Sequence, residues 1–278
     1  MASVNSPIRS LLKPLFFKLI GKKGYFLMQY FAKKKDIEQK LLEEPEMKIL
    51  HHFVSKKSNT IDIGANFAYY SHRLSTLAPQ GIVYAFEPIP FTYQVAKKIV
   101  EKCNLKNVQL YQLGVGNENK EIVFEVPLQS FGAYSAGQAH MTGRNNELEG
   151  KKQHYQFQSH EKIKCTTIRI DDFKEINRSI DFIKIDIEGA ELYALMGMTA
   201  LIKKDLPVIL LEINPFFLEG FKIQEKELTD FIQQINYSTY VYDIKLRKLI
   251  PYPSNFIESN YIILPNSKLE MYTTLISN

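Results

Sequence analysis

The chain of 278 residues is 45% hydrophobic and 23% charged, ordinary values for one globular core with decoration and too apolar for a disordered segment. Its two cysteines, Cys103 and Cys165, exclude a disulfide framework and a cysteine metal site and fit a cytoplasmic protein. The net charge of +5 is concentrated in one place: residues 1–40 carry nine lysines and arginines against Asp36 and Glu38. The remainder is close to neutral and lacks the basic face of a nucleic-acid enzyme.

Residues 1–45 read as a basic, amphipathic helical arm, and 46–278 as an α/β domain. The arm is rich in Phe and Tyr, but Lys13, Lys18, Lys22 and Lys23 interrupt it before any run reaches the roughly 18 to 20 apolar residues that a spanning helix needs. It is expected either to lie at an anionic lipid surface, peripheral to the inner face of a membrane, or to pack on the domain as a lid. A transit peptide, suggested by the absence of acids before residue 36, is the third reading.

From residue 59 onward, short apolar runs alternate with helical patterns, which predicts βαβ units and a Rossmann-like sheet of about seven strands. The expected order is strand 60–64, helix 66–78, strand 82–87, helix 91–103 and strand 108–115. A region at 121–172 then breaks the rhythm, with strand-like alternation at both ends and a weakly patterned middle that holds His140, His154 and His160. Such a stretch is more often a binding loop than idle chain, and it is expected to cover the acceptor site as a lid. Strand 182–186, helix 190–203, strand 208–213, helix 225–235 and strands 239–244 and 261–264 complete the pattern.

Four motifs carry chemistry. Asp62-Ile63-Gly64-Ala65-Asn66 falls at the carboxyl end of the first strand, where small residues let the backbone approach a ligand; a tight turn in which Asp62 satisfies backbone N–H groups is the structural alternative. Glu87, closing Ala85-Phe86-Glu87-Pro88, is an acid at the end of the second strand, placed to accept both hydroxyl hydrogens of a ribose. Together they specify an adenosine nucleoside. A single Gly64 in place of Gly-x-Gly-x-x-Gly favours a sulfonium methyl donor over NAD. The third motif runs from Asp181 to Glu191, with Lys184 and Asp186 on one strand face. Asp186 is expected at the reacting centre; Glu188 and Glu191 are either part of it or caps of the next helix. The fourth is Glu212-Ile213-Asn214-Pro215, whose polar ends either orient an acceptor or, with Asp186, hold a divalent metal.

These motifs, in this order over residues 59–214, resemble the FkbM-type methyltransferase family. The resemblance implies a class I methyltransferase fold, S-adenosyl-L-methionine as donor, and O-methylation of a hydroxyl on a sugar, glycolipid or other natural product. The expected cofactor set is Asp62, Gly64, Ala65, Asn66, Tyr70, Glu87, Pro88 and Gly114; the expected catalytic set is Asp186, Glu188 and His140, with His154 and His160 as further candidate bases. Ala68 stands where the family usually has glycine, and its methyl is expected to tighten the donor pocket. A NAD-dependent oxidoreductase and a non-catalytic nucleoside-binding protein are the rival classes. Methylation of base amino groups is disfavoured because no Asn-Pro-Pro-aromatic motif occurs. The acceptor and the oligomeric state stay open at this stage.

Overall fold

In the computed structural model the described residues are 7–41, 43–128, 134, 139–142, 159–252, 255–257 and 259–277, with side chains of the first helix described from residue 19. Chain order is α1 (Pro7–Glu38), β1 (Thr60–Ile63), α2 (Tyr69–Leu77), β2 (Val83–Phe86), α3 (Pro90–Lys102), β3 (Val108–Tyr111), β4 (Gly114–Val115), β5 (Lys120–Leu128), β6 (His140–Met141) and β7 (Ser159–Ile168). There follow β8 (Phe182–Ile185), α4 (Glu191–Met196), α5 (Thr199–Asp205), β9 (Val208–Ile213), α6 (Pro215–Gly220), α7 (Glu225–Gln234), β10 (Tyr237–Asp243), β11 (Lys248–Pro251) and β12 (Ser259–Pro265).

The main sheet has the order β11-β10-β12-β9-β8-β1-β2-β3 among the described residues. β1, β2, β3, β8 and β9 are parallel, and β12 runs antiparallel between β9 and β10. The central strands read as near-continuous apolar runs because both of their faces are covered. Ile61, Ile63, Ile183 and Ile185 pack with Leu195 and Ile202 of α4 and α5 and with Leu228 and Ile232 of α7. On the opposite face Val83, Phe182 and Leu210 pack with Leu74 of α2 and with Met47, Leu50 and Phe53. Between β1 and β8 the chain order reverses, so the carboxyl ends of these strands open a crevice there.

The structure departs from the sequence reading in four places. The expected strand 108–115 divides, since β4 leaves the main sheet and pairs with β7 in a second sheet of order β4-β7-β5-β6. In that sheet the strand-like ends expected of the 121–172 region are two long antiparallel strands, β5 and β7, as the alternation predicts. α2 starts at Tyr69 rather than 66 because Asn66 and Ala68 hold positive φ angles of 48° and 62°, which a right-handed helix cannot include. The helix expected over 190–203 breaks between α4 and α5, where Gly197 lies against the backbone at Gly116. α6 and β11 are additions, and the main sheet gains an eighth strand.

A Cβ on Gly197 would stand 1.9 Å from the carbonyl oxygen of Gly116, and backbone cannot yield cheaply. Gly197→Ala is therefore expected to cost about 1–3 kcal/mol. Urea unfolding checks this as a lower midpoint at unchanged slope; an unchanged midpoint would show that the two segments are not in register there.

Candidate active site

The crevice holds a cavity of about 280 Å³ lined by Gly64, Asn66, Glu87, Pro88, Asp186, Glu188 and Glu212, with Glu44 and Phe124 at its sides. Gly64 is required where it stands. Its φ is +79°, and an added Cβ would meet the carbonyl oxygen of Asp186 at 1.9 Å, so only hydrogen lets β1 and β8 approach each other at this turn. The N–H groups of Gly64 and Ala65 both donate to the Phe86 carbonyl, at 3.0 and 2.9 Å, which fixes the turn against the end of β2.

Glu87 is buried and accepts three hydrogen bonds. Its Oε1 takes Ile89 N–H at 2.9 Å and Thr92 Oγ1 at 2.8 Å, and its Oε2 takes Asn66 N–H at 2.9 Å. Three of about four lone-pair sites are filled. The expectation that Glu87 accepts both ribose hydroxyls is corrected accordingly: one site, on Oε2, is left for a ligand. Beside it the Oδ1 of Asn66 is buried without a hydrogen-bond partner among the described residues, a position that a ligand donor would complete. Burial pushes the Glu87 carboxyl up to about 7 despite these bonds and against an ordinary value of 4.5.

Asp62, buried at the end of β1, accepts from Ser71 Oγ at 2.5 Å, and burial raises it to about 6. It therefore ties β1 to α2. Tyr70 donates to Glu44 Oε2 at 2.5 Å, and Asn260 Nδ2 donates to the same oxygen at 2.8 Å. Pro88 and Gly114 line an apolar extension of the cavity with Phe86, Phe124 and Met141. Ala68 is fully buried with a left-handed φ of 62°. Its conformation, rather than tightening of the pocket, accounts for the family's glycine at this position.

The middle of the site is organised by Lys184, whose side chain is 1% exposed. Its ammonium lies 3.8 Å from Asp186 Oδ2, 4.0 Å from Glu212 Oε2 and 3.1 Å from Asn260 Oδ1, and 5.1 Å above the Tyr70 ring. Burial alone would pull its pKa down, but the charges of Asp186, Glu212, Glu44 and Asp62 outweigh burial and raise it. Glu212 is held well above the carboxylate range, first by burial and then by the charge of Asp186 and a hydrogen bond with it. A lysine within the apolar run of β8 was the sequence signal for this arrangement; Glu44 and Asn260, from distant segments, gave none.

The remaining expected residues divide. Asn214 turns its Oδ1 to Phe216 N–H at 3.1 Å as the N-cap of α6. With Asp186 and Glu212 already balanced by Lys184, the expected metal set is not brought together as ligands, and no cluster of metal-binding acids, histidines or cysteines occurs among the described residues. Glu191 accepts from the N–H groups of Ile187 and Gly189 at 3.3 and 3.0 Å, which fixes the turn between β8 and α4 rather than capping the helix. Glu188 remains at the cavity, on a backbone with φ of 56°. His140 pairs with Glu125 across β5 and β6, whereas Phe124 pairs with Met141. Because Phe124 and Met141 face the cleft, alternation turns His140 to the other side of the sheet, where its Nε2 lies 4.0 Å from Glu125 Oε2. That corrects its place in the catalytic set. His160 pairs opposite Pro127, on the same outer side, and His154 lies outside the described residues.

The strand order β3-β2-β1-β8-β9-β12-β10 with one antiparallel strand, and a cleft at the carboxyl ends of β1 and β8, define the Rossmann-like fold of class I methyltransferases. Residues 62–239 match the family model of the methyltransferase FkbM domain, and the chain belongs to that family. Methyltransferase 1 of Beauveria bassiana (strain ARSEF 2860) is 25% identical over 146 residues, covering 50% of this chain and 57% of its own; this chain thus spans little more than half the length of that curated relative. Among solved structures, methyltransferase FkbM from Methylobacillus flagellatus KT superposes with a TM-score of 0.47 at 16% identity, over 77% of this chain and 47% of that one. A SAM-dependent methyltransferase from Aquifex aeolicus gives 0.41 at 15%, over 83% and 97%.

Two measurements test the electrostatics. In the unfolded chain Glu87 ionises near 4.5, whereas in the folded chain it stays neutral to about 7. A raised carboxyl adds no penalty below the lower value, costs stability progressively as pH rises through the window, and costs a constant amount above it. The stability of Glu87→Gln relative to the parent should therefore improve between pH 4.5 and 7, and a flat difference in chemical denaturation would contradict the burial argument. Lys184→Met should cost about 3–5 kcal/mol near neutral pH by leaving buried carboxylates unpaired. The loss should shrink on acidification, as those carboxyls become neutral; a pH-independent loss in the same assay would count against it.

Proposed function

We propose that this protein transfers the methyl group of S-adenosyl-L-methionine to a hydroxyl of a small-molecule or glycoconjugate acceptor such as a sugar, glycolipid or other natural product. The observation that carries the reading is the sign of the cavity. Glu44, Glu87, Asp186, Glu188 and Glu212 line it, and with Glu87 and Glu212 held up by burial the other three acids still outnumber the ammonium of Lys184, the one lysine near its floor among the described residues. A nucleoside bearing a sulfonium cation is stabilised in such a field, whereas the pyrophosphate of NAD would meet carboxylates where a dinucleotide site supplies helix N–H groups. Nucleic-acid backbones are disfavoured on the same ground.

In this reading Asn66 and the open site on Glu87 hold the ribose or the amino-acid end of the donor, and Gly64 gives the close approach. Pro88, Gly114 and Phe124 flank the apolar extension, which suits a base. The bound donor supplies an electrophilic carbon. Asp186, at the carboxyl end of β8 beside Gly64, accepts the proton of the acceptor hydroxyl as that oxygen takes the methyl and the sulfur keeps the bond pair. Glu212 and Lys184 hold Asp186 in position, and Glu188 borders the acceptor side. The β5–β7 region serves as the lid over the acceptor. A cytoplasmic location, with the N-terminal arm at the inner face of a membrane, belongs to this reading because lipid-linked sugars are among such acceptors.

Titration calorimetry with S-adenosylmethionine and S-adenosylhomocysteine should show binding that NAD does not match, and Glu87→Ala should weaken it at least tenfold. Asp186→Asn should keep donor binding while lowering transfer to a hydroxyl acceptor by about 10²–10⁴. Absence of heat with both sulfur ligands, or full transfer by the Asp186 variant, would sink the proposal. Radiolabel from methyl-labelled donor, followed into glycolipid and polysaccharide fractions, identifies the acceptor.

A further inference from the structure

α1 is apolar on both of its sides, and only one side is used by the domain. Tyr25, Tyr30 and Ile37 are buried, with Tyr25 and Phe26 against Phe91 of α3, and Tyr30 and Ile37 packed with Val95 and Ile99 of the same helix. The helical period puts residues 27, 28, 31 and 35 on the opposite stripe. There Leu27, Met28 and Phe31 are 41%, 37% and 63% exposed. Beyond Gly21, whose φ of 60° kinks the helix, Leu19 and Ile20 extend this apolar surface. Lys22, Lys23 and Lys35, all exposed, flank it.

We infer that this outer stripe docks on an anionic bilayer surface, with Leu27, Met28 and Phe31 entering the headgroup boundary and the flanking lysines meeting lipid phosphates. Charge supports this occupant. The first 40 residues hold more than the entire net positive charge of the chain, so two copies meeting through this face would set like charges together, and three side chains fall short of the roughly 1,000 Å² of a stable interface. No helix among the described residues is long and apolar enough to cross a membrane, which leaves an in-plane position. The helix also runs past the site: Lys22 lies 6.0 Å from the Tyr134 ring, and Lys33 lies 5.1 Å from the ring of Phe67, next to Asn66. The inference rests on the membrane placement proposed above and is independent of methyl transfer.

Sedimentation of the full chain with phosphatidylcholine vesicles, with and without about one third phosphatidylglycerol, tests it. Partitioning should favour the anionic vesicles at least tenfold and fall as salt is raised. Leu27→Glu with Phe31→Glu should lower it at least tenfold, and Lys22→Glu with Lys23→Glu and Lys35→Glu should remove the preference for anionic lipid, both at unchanged melting temperature. Equal partitioning into both vesicle types, or undiminished binding by the Leu27 and Phe31 variant, would overturn the inference. So would a wild-type dimer that the same variant abolishes in the absence of lipid preference. Donor calorimetry on the same samples separates this outcome from the fate of the methyl-transfer proposal.

Discussion

Lys184 sits in the middle of the parallel sheet with carboxyl groups on several sides, and its one charge determines what its neighbours can be. Asp62, in register beside it on β1, is buried and bound to Ser71; Glu212 is held above the carboxylate range by burial and by the charge of Asp186; Glu44 is held by Tyr70 and Asn260. Isolated carboxylates in such a place would cost several kcal/mol each in lost hydration. The hydrogen bonds lower that cost, and the ammonium meets the rest. The result is a negative cavity built on a neutral body, a local field that the overall charge of the chain conceals.

Backbone strain gathers at the same place. Asn66, Ala68 and Glu188 all hold left-handed angles around the cavity. For Ala68 the cost of about 1–2 kcal/mol is offset by burying a methyl, about 0.8 kcal/mol, and by a less flexible unfolded chain, about 0.4–1 kcal/mol. Alanine and glycine are therefore close in stability at this turn, and the departure from the family pattern does not alter the shape of the site.

Much of this was legible beforehand for a physical reason. β1, β2, β8 and β9 are buried on both faces, so they stand out as apolar runs, and their acids mark the carboxyl ends. The polar residues beside the helix starts resolved less well: Glu191 proved to tie the turn before α4 and Asn214 to cap α6, roles that residue type alone does not distinguish from ligands. His140 depended on register, because in a strand a shift of one residue exchanges the two faces. Glu44 reaches the site through Asn260, 216 residues away, a long-range contact of the kind that no local pattern encodes.

The second sheet is joined to the first through β4 and through Cys165, whose Sγ donates to the Pro88 carbonyl at 3.2 Å. From it Phe124 and Met141 form one wall of the cleft, while the strands that carry Asp62, Glu87 and Asp186 belong wholly to the main sheet. Insertions or substitutions between β5 and β7 can reshape that wall without displacing those acids. The architecture thereby places the variable wall of the cleft and its fixed acids on separate sheets, so that one can change shape while the other keeps its geometry.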